Sequence, residues 1–297
     1  MKKVFVPLAL LITFTVSSQD AAVKPAVPDS TIKVVEYPKD YTGKLDVVYT
    51  KVKDWDGRED LYFNPKAARP TPVIFNIHGG GWNHGTKESQ SGFAAFFKAG
   101  YAVANVEYRL YPVATAPGAV EDVRRAILYV VKHAKELNID PNKIVLMGAS
   151  AGGHLALIAG LLQNDHQFDV EYKDVNGFTI AAIIDKYGLA DFAFPGIEKY
   201  KSEINWLGDY GKDRKLVESV SPIYYVKKTS PPTFIVHGDA DPRIPYEQSV
   251  ALHKKYESVG AKVKFMTVHG GLHGNFPKDE NKKVNDAIMA FLKENGL

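Results

Sequence analysis

The 297-residue chain has no cysteine, so disulfides, thiolate metal sites, a cysteine nucleophile and a lipid-modified cysteine are all excluded. It also has no excess of either charge. With 37 basic and 34 acidic residues interleaved at a net +3, it lacks the basic stripe that phosphate neutralisation requires, and we set nucleic acid aside as a partner. Repeats of roughly 20–50 residues and low-complexity tracts are absent too, which excludes solenoids. No apolar run reaches the ~20 residues of a membrane-spanning helix. The apolar segment Val4 to Val16 follows Lys2 and Lys3 and precedes Ser17 and Ser18, the layout of a secretory signal peptide. We therefore expect residues 1–18 to be removed, residues 19–30 to be a flexible lead-in, and the mature protein to be secreted or periplasmic with no stable membrane anchor.

The full chain has 45% hydrophobic and 24% charged residues, enough apolar surface for a sizeable core, and we read residues 31–297 as one domain. Short β-branched and aromatic runs recur at Thr71 to His78, Tyr101 to Tyr108, Lys143 to Gly148, Phe178 to Gly188, Thr233 to His237 and Lys262 to His269. Helix-period segments separate them. The clearest runs from Ala119 to Leu137, where Val120, Val123, Ile127, Val130, Ala134 and Leu137 step by three or four. Strands alternating with helices predict a mostly parallel sheet covered on both faces, an α/β/α sandwich of three layers. Ahead of it, Leu45 to Trp55 and Arg58 to Phe63 read as an antiparallel hairpin turning at Asp56 and Gly57. From about 190 to 230 the rhythm breaks, and that stretch reads as a short helical insertion or a lid.

Chemistry gathers at strand ends. Gly148 to Gly152 spell GxSxG between the strand KIVLMG and the apolar helix AGGHLALIAGLL, the setting in which a tight turn lifts the Ser150 hydroxyl above the sheet edge. Upstream, His78, Gly79, Gly80, Gly81 and Trp82 follow another strand. Glycine lets the main chain approach a reacting carbonyl, and the N–H groups of Gly80, Gly81 and Ala151 are the expected oxyanion hole. His78 is expected to make a structural hydrogen bond. Trp82 stays open between rim packing and substrate contact.

A serine hydroxyl needs a base, and the base a carboxylate to orient it and stabilise its charge. Asp241 follows the strand TFIVH, and His273 lies in the glycine-flanked loop GGLHG after the last strand. Asp239 is the rival acid and His269 the reserve base, while Arg243 could share the loop with the two carboxylates. His133, His154 and His253 fall on helical segments, and His237, like His269, ends a strand. This chemistry calls for no metal and no other cofactor.

Together HGGGW, GASAGG, HGDADPRIP and GGLHG resemble the α/β-hydrolase serine esterases, in the branch shared by hormone-sensitive-lipase-like carboxylesterases and bacterial feruloyl or acetyl-xylan esterases. The likeness runs from about Leu45 to the C-terminus. It includes EYRL from Glu107 to Leu110, VEDVRRAI from Val120 to Ile127 and SPIYYV from Ser221 to Val226. The resemblance implies an α/β-hydrolase fold, with Ser150, Asp241 and His273 as nucleophile, orienting acid and base, and feruloyl or acetyl esters on plant polysaccharide as substrates. One departure is the loop YPVATAPGA after Leu110, which leaves the acyl-pocket wall there undefined. Trp206, with Tyr210 and Phe194, could wall such a pocket, or could pack in the core. The expected activity is carboxylic ester hydrolysis through an acyl-enzyme. A peptidase resembling acylaminoacyl peptidases and a catalytically silent binding module are the rivals, and the oligomeric state is not readable.

Overall fold

Val73, Phe75 and Ile77 turn to one face of the strand Thr71–Ile77 and Ile74 to the other, and all four are buried. A strand apolar on both faces belongs inside a parallel sheet with helices on each side. The computed structural model, which describes residues 33–297, has this arrangement. The expected signal peptide (1–18) and the whole lead-in (19–30) precede it and lie outside the described residues.

In chain order the strands are β1 (Thr42–Val52), β2 (Trp55–Phe63), β3 (Thr71–Ile77), β4 (Ala102–Val106), β5 (Ile139–Ala149), β6 (Ile180–Lys186), β7 (Thr233–Gly238) and β8 (Val263–Val268). The α-helices are α1 (Ala94–Lys98), α2 (Gly118–Lys132), α3 (Ala151–Leu162), α4 (Lys201–Leu207), α5 (Arg214–Ser219), α6 (Tyr246–Val259) and α7 (Lys278–Glu294). One sheet runs β1-β2-β4-β3-β5-β6-β7-β8. Its first two pairings are antiparallel and the rest parallel. Val120, Val123 and Ile127 of α2, Leu155 and Ile158 of α3 and Leu252 of α6 cover one face. Phe96 and Phe97 of α1 with Ile288 and Phe291 of α7 cover the other. These are the expected three layers.

Two boundaries differ from expectation. Val52 pairs with Trp55, so the hairpin turns at Lys53 and Asp54, not at Asp56 and Gly57. Gly57 lies inside β2 under Tyr49, Thr50 and Trp55, where a Cβ would come within 2.7–2.8 Å of their side chains. Cross-strand packing fixed this register against the local Asp-Gly turn signal. The helical pattern up to Leu137 stops earlier, because α2 ends at Lys132. Ala134 and Leu137 stay buried in a further turn, closed where the Ile139 N–H reaches Ala134 O at 2.9 Å across Asn138 with φ +52°. Residues 190–230 hold α4, α5 and short 3₁₀ turns and no strand.

Candidate active site

Every parallel strand delivers its C-terminal end to one edge of the sheet, where open α/β sheets build their sites. β5 arrives there and α3 leaves, with Ser150 between them at φ +56° and ψ −123°. The bend is held by two hydrogen bonds. Ser150 N–H donates to Lys186 O at 2.9 Å, and His154 N–H to Ser150 O at 3.0 Å. A turn this tight forces main chain against main chain: a Cβ on Gly152 would lie 2.1 Å from Ile77 O. That is the physical content of the GxSxG spacing. All twelve residues of α3 are buried, so the helix under the serine is fixed on every side.

The loops after β7 and β8 meet above it. Ala240 N–H donates to Gly271 O at 3.1 Å, which ties the segment carrying Asp241 to the one carrying His273. His273 Nε2 lies 2.8 Å from Ser150 Oγ, and its Nδ1 2.7 Å from Asp241 Oδ2. The Asp241 side chain is fully buried. Its Oδ1 accepts the N–H groups of Arg243 at 2.7 Å and Ile244 at 3.1 Å, and its Oδ2 also accepts from His237 Nε2 at 3.0 Å. Burial alone would oppose ionisation, but hydrogen bonds from His237, His273 and the Arg243 N–H outweigh it and hold the carboxyl well below the usual range. The Tyr187 ring packs at a tilt on His273, centroids 4.9 Å apart.

The rival pair is elsewhere. Asp239 Oδ2 meets His269 Nδ1 at 2.8 Å, and its Oδ1 accepts the Gly270 N–H. His269 is 88% exposed, so these two form a surface pair separate from Ser150.

Gly80 and Gly81 line the same space, and Ala151 follows Ser150 as the first residue of α3. Gly80 has φ +122°, and a Cβ there would sit 1.9 Å from His84 O. Among the described residues none of the three N–H groups donates to a carbonyl or side chain, so all remain free for an oxygen built up on a substrate. His78 stacks on Tyr108 at 4.2 Å and places Nδ1 2.8 Å from Gly79 O, shaping the loop and not the cavity. The cavity measures about 590 Å³, and Ser150, Tyr187, Lys199, Tyr200, Arg243 and His273 are among its lining residues.

The tryptophans are a correction to the expected substrate contacts. Trp206 is 0% exposed and does not line the cavity. It stacks on Trp82 at 5.0 Å and on Phe192 at 5.1 Å, with His154 edge-on. Trp82 borders the cavity, but its side chain is 1% exposed and its Nε1–H donates to His154 Nδ1 at 3.3 Å. Pairing large rings with one another removes more apolar surface from water than presenting them to a polar cleft. Tyr210 and Phe194 do not line the cavity either.

The remaining motifs brace this edge. Arg109 of EYRL grips Asp122 of VEDVRRAI through its Nε at 2.8 Å, a second guanidinium nitrogen at 2.9 Å and its own N–H at 2.9 Å, locking the loop after β4 onto α2. Ser221 of SPIYYV accepts the Phe192 N–H at 3.0 Å, and Val220 O accepts from His154 Nε2 at 2.8 Å. The loop YPVATAPGA is tied to α4 by Ala116 N–H to Trp206 O at 2.7 Å.

Sequence reasoning overlooked His237, set aside as a strand end, and Tyr187, Lys199 and Tyr200 on the cavity wall. For His237 and Tyr187 the signal was available: both sit at the C-terminal ends of strands on the edge that carries the serine.

Fold and site together define a serine ester hydrolase of the α/β-hydrolase class, and proteins of known activity resemble it. A truncated carbohydrate esterase from gut microbiota superposes with a TM-score of 0.72 at 30% identity, over 86% of this chain and 99% of that one. Esterase 2 of Thermogutta terrifontis, phosphoramylated by tabun, gives 0.71 at 25% identity over 87% and 96%. Among curated proteins, esterase LipC of Mycobacterium tuberculosis is 27% identical over 87% of this chain and 67% of its own length. The arylesterase of Saccharolobus solfataricus is 26% identical over 86% and 85%. The chain spans only 51% of LipQ and 43% of LipM, two further mycobacterial relatives. Over residues 59–256 it matches the BD-FAE family, and it belongs to that family.

Proposed function

We propose that the protein is an exported esterase that removes short acyl groups, acetyl foremost, from carbohydrate, with Ser150 as nucleophile, His273 as base and Asp241 as its orienting acid. In this reading Ser150 Oγ attacks the ester carbonyl as its proton passes to His273 Nε2. Asp241 stabilises the imidazolium, and the N–H groups of Gly80, Gly81 and Ala151 receive the negative oxygen. The imidazolium then protonates the departing alcohol, and water, deprotonated by the same nitrogen, releases the acyl group and regenerates the serine.

The observation that carries the reading is His273 bridging Ser150 Oγ at 2.8 Å and Asp241 at 2.7 Å. The acyl preference is supported by the burial of Trp206 and by similarity to a carbohydrate esterase and to an acetyl ester-xyloside bifunctional hydrolase from Caldicellulosiruptor lactoaceticus (TM-score 0.69, 25% identity, 81% of this chain and 88% of that one). A feruloyl preference has one observation in its favour, the presence of Tyr187 and Tyr200 on the cavity wall. Export rests on the pattern from Lys2 to Ser18.

Hydrolysis of 4-nitrophenyl acetate to octanoate, acetylated xylan, methyl ferulate and a peptide anilide tests the reading. Acetyl esters should be cleaved fastest and the anilide not at all; a ferulate preference would favour the second acyl reading. Ser150→Ala should abolish turnover in a folded protein, and a retained rate within about tenfold (~1.4 kcal/mol of barrier) would remove the nucleophile assignment. N-terminal sequencing of protein recovered from periplasm or medium should begin near Gln19; recovery only in the cytoplasm with Met1 intact would end the export reading.

A further inference from the structure

We propose that the preferred ester carries an anionic group, a carboxylate or sulfate, on its alcohol portion; this rests on the hydrolytic reading above. The chain as a whole is nearly neutral, 37 basic against 34 acidic residues, yet the wall around Ser150 is not. Lys199, Lys201 and Arg243 all line the cavity. Among the described residues none of these three side chains has an ion-pair or hydrogen-bond partner, and Arg243 makes a hydrogen bond only through its backbone N–H. Glu203 is the one acidic residue lining the cavity, and it is buried and accepts a hydrogen bond from Ser202 Oγ. Asp241 lies behind the wall, its oxygens occupied by two histidines and two backbone N–H groups.

The cations come from two parts of the chain. Lys199 and Lys201 flank the start of α4, and Arg243 lies two residues after the buried acid on the loop beyond β7. Two separate segments thus bring unneutralised positive charge to one concave space. Such a cleft attracts anions and raises their local concentration, and an Arg fork matches a carboxylate or sulfate geometrically. Size assigns the charge to the alcohol side. An acetyl group fills a volume on the order of a few waters, at ~30 Å³ each, whereas the cavity is about 590 Å³. The part of the substrate that meets the cations is therefore the sugar. Asn83, His84, Tyr200 and Ser202 on the same wall supply further polar groups for its hydroxyls.

The test compares kcat/KM for three acetylated methyl glycosides that differ only at C6: glucoside, glucuronide and glucoside 6-sulfate. At about 10 mM salt, where charges act over ~30 Å, the anionic esters should be preferred about tenfold. At about 1 M salt, where the range is ~3 Å, the preference should largely vanish. The uronate and sulfate arms separate the two anion types. The triple variant Lys199→Gln/Lys201→Gln/Arg243→Gln should bring the ratio close to one, with an unchanged far-UV spectrum as the check on folding. Equal rates on neutral and anionic esters at low salt would overturn the proposal, as would a preference that survives in the folded triple variant. If even 4-nitrophenyl acetate is left intact, the hydrolytic reading fails and takes this one with it.

Discussion

His237 donates its Nε2 hydrogen to Asp241 Oδ2 at 3.0 Å, the same oxygen that meets His273 Nδ1 at 2.7 Å. Its Nε2 also faces Ile244 O at 3.2 Å, and two acceptors fix the hydrogen on that nitrogen. Ser249 Oγ–H donates to the other nitrogen at 2.7 Å. His237 is 0% exposed, so this second imidazole sets the acid from behind and has no access to substrate.

As a positioning residue, His237 should be replaceable by Gln, whose amide nitrogen can donate from a comparable reach, but not by Ala. We expect His237→Ala to lower kcat about tenfold, the lower end of what a hydrogen bond to a charged group contributes (~1.5 kcal/mol), with KM little changed. His237→Gln should restore most of the rate, because it restores a hydrogen bond that helps hold the Asp241 carboxyl ionised. Equal losses of kcat in both variants would reduce His237 to packing.

Two aspartates two residues apart should behave differently. Asp241→Asn leaves His273 without its carboxylate and should cost on the order of 10²–10⁴ in kcat. Asp239→Asn breaks a surface pair with His269, outside the cavity, and should leave kcat/KM within about twofold. Comparable losses at both positions would mean the loop tolerates neither change, and the assignment of the acid would fall.

Buried ionisable groups set the pH response of stability. Burial raises the Asp185 carboxyl to about 7 against one hydrogen bond from the Gly188 N–H, and lowers the His154 imidazole to about 4 against its bond to Val220 O. Between about pH 4 and 6.5 the unfolded chain ionises both. Folded, Asp185 keeps a proton that the unfolded state has lost, so its contribution declines as pH rises. His154 lacks a proton that the unfolded state has gained, so its contribution declines as pH falls. The two slopes oppose. Asp185→Asn keeps the acceptor for Gly188 and removes one slope, so its stability should rise from pH 4 to 6.5 by up to about 3 kcal/mol relative to the parent. Urea unfolding across that range checks it, and parallel curves for the two proteins would contradict it.

Trp206 gives a stability prediction in place of a specificity one. Trp206→Ala empties the stack against Trp82 and Phe192 and should cost ~3–5 kcal/mol. Activity on acetyl and feruloyl esters should then fall together with the folded fraction. A selective loss of feruloyl turnover in a protein that melts normally would return the ring to the substrate site.

The sequence by itself determined the layered architecture and the places of Ser150 and His273, because strand period, glycine spacing and chain order are local properties that one chain displays directly. It also carried the buried face of α2, though not where that helix stops. Tertiary structure alone decided the hairpin register, set by Tyr49, Thr50 and Trp55 closing over Gly57. It alone separated Asp241 from Asp239, since both follow the same strand and only the fold shows which carboxyl is buried under His273. It alone turned Trp206 inward, left Lys199, Lys201 and Arg243 around one cavity, and brought His237 behind the acid. Each of these depends on contacts between residues distant along the chain or on the direction of a side chain within a loop, and neither is written in local periodicity.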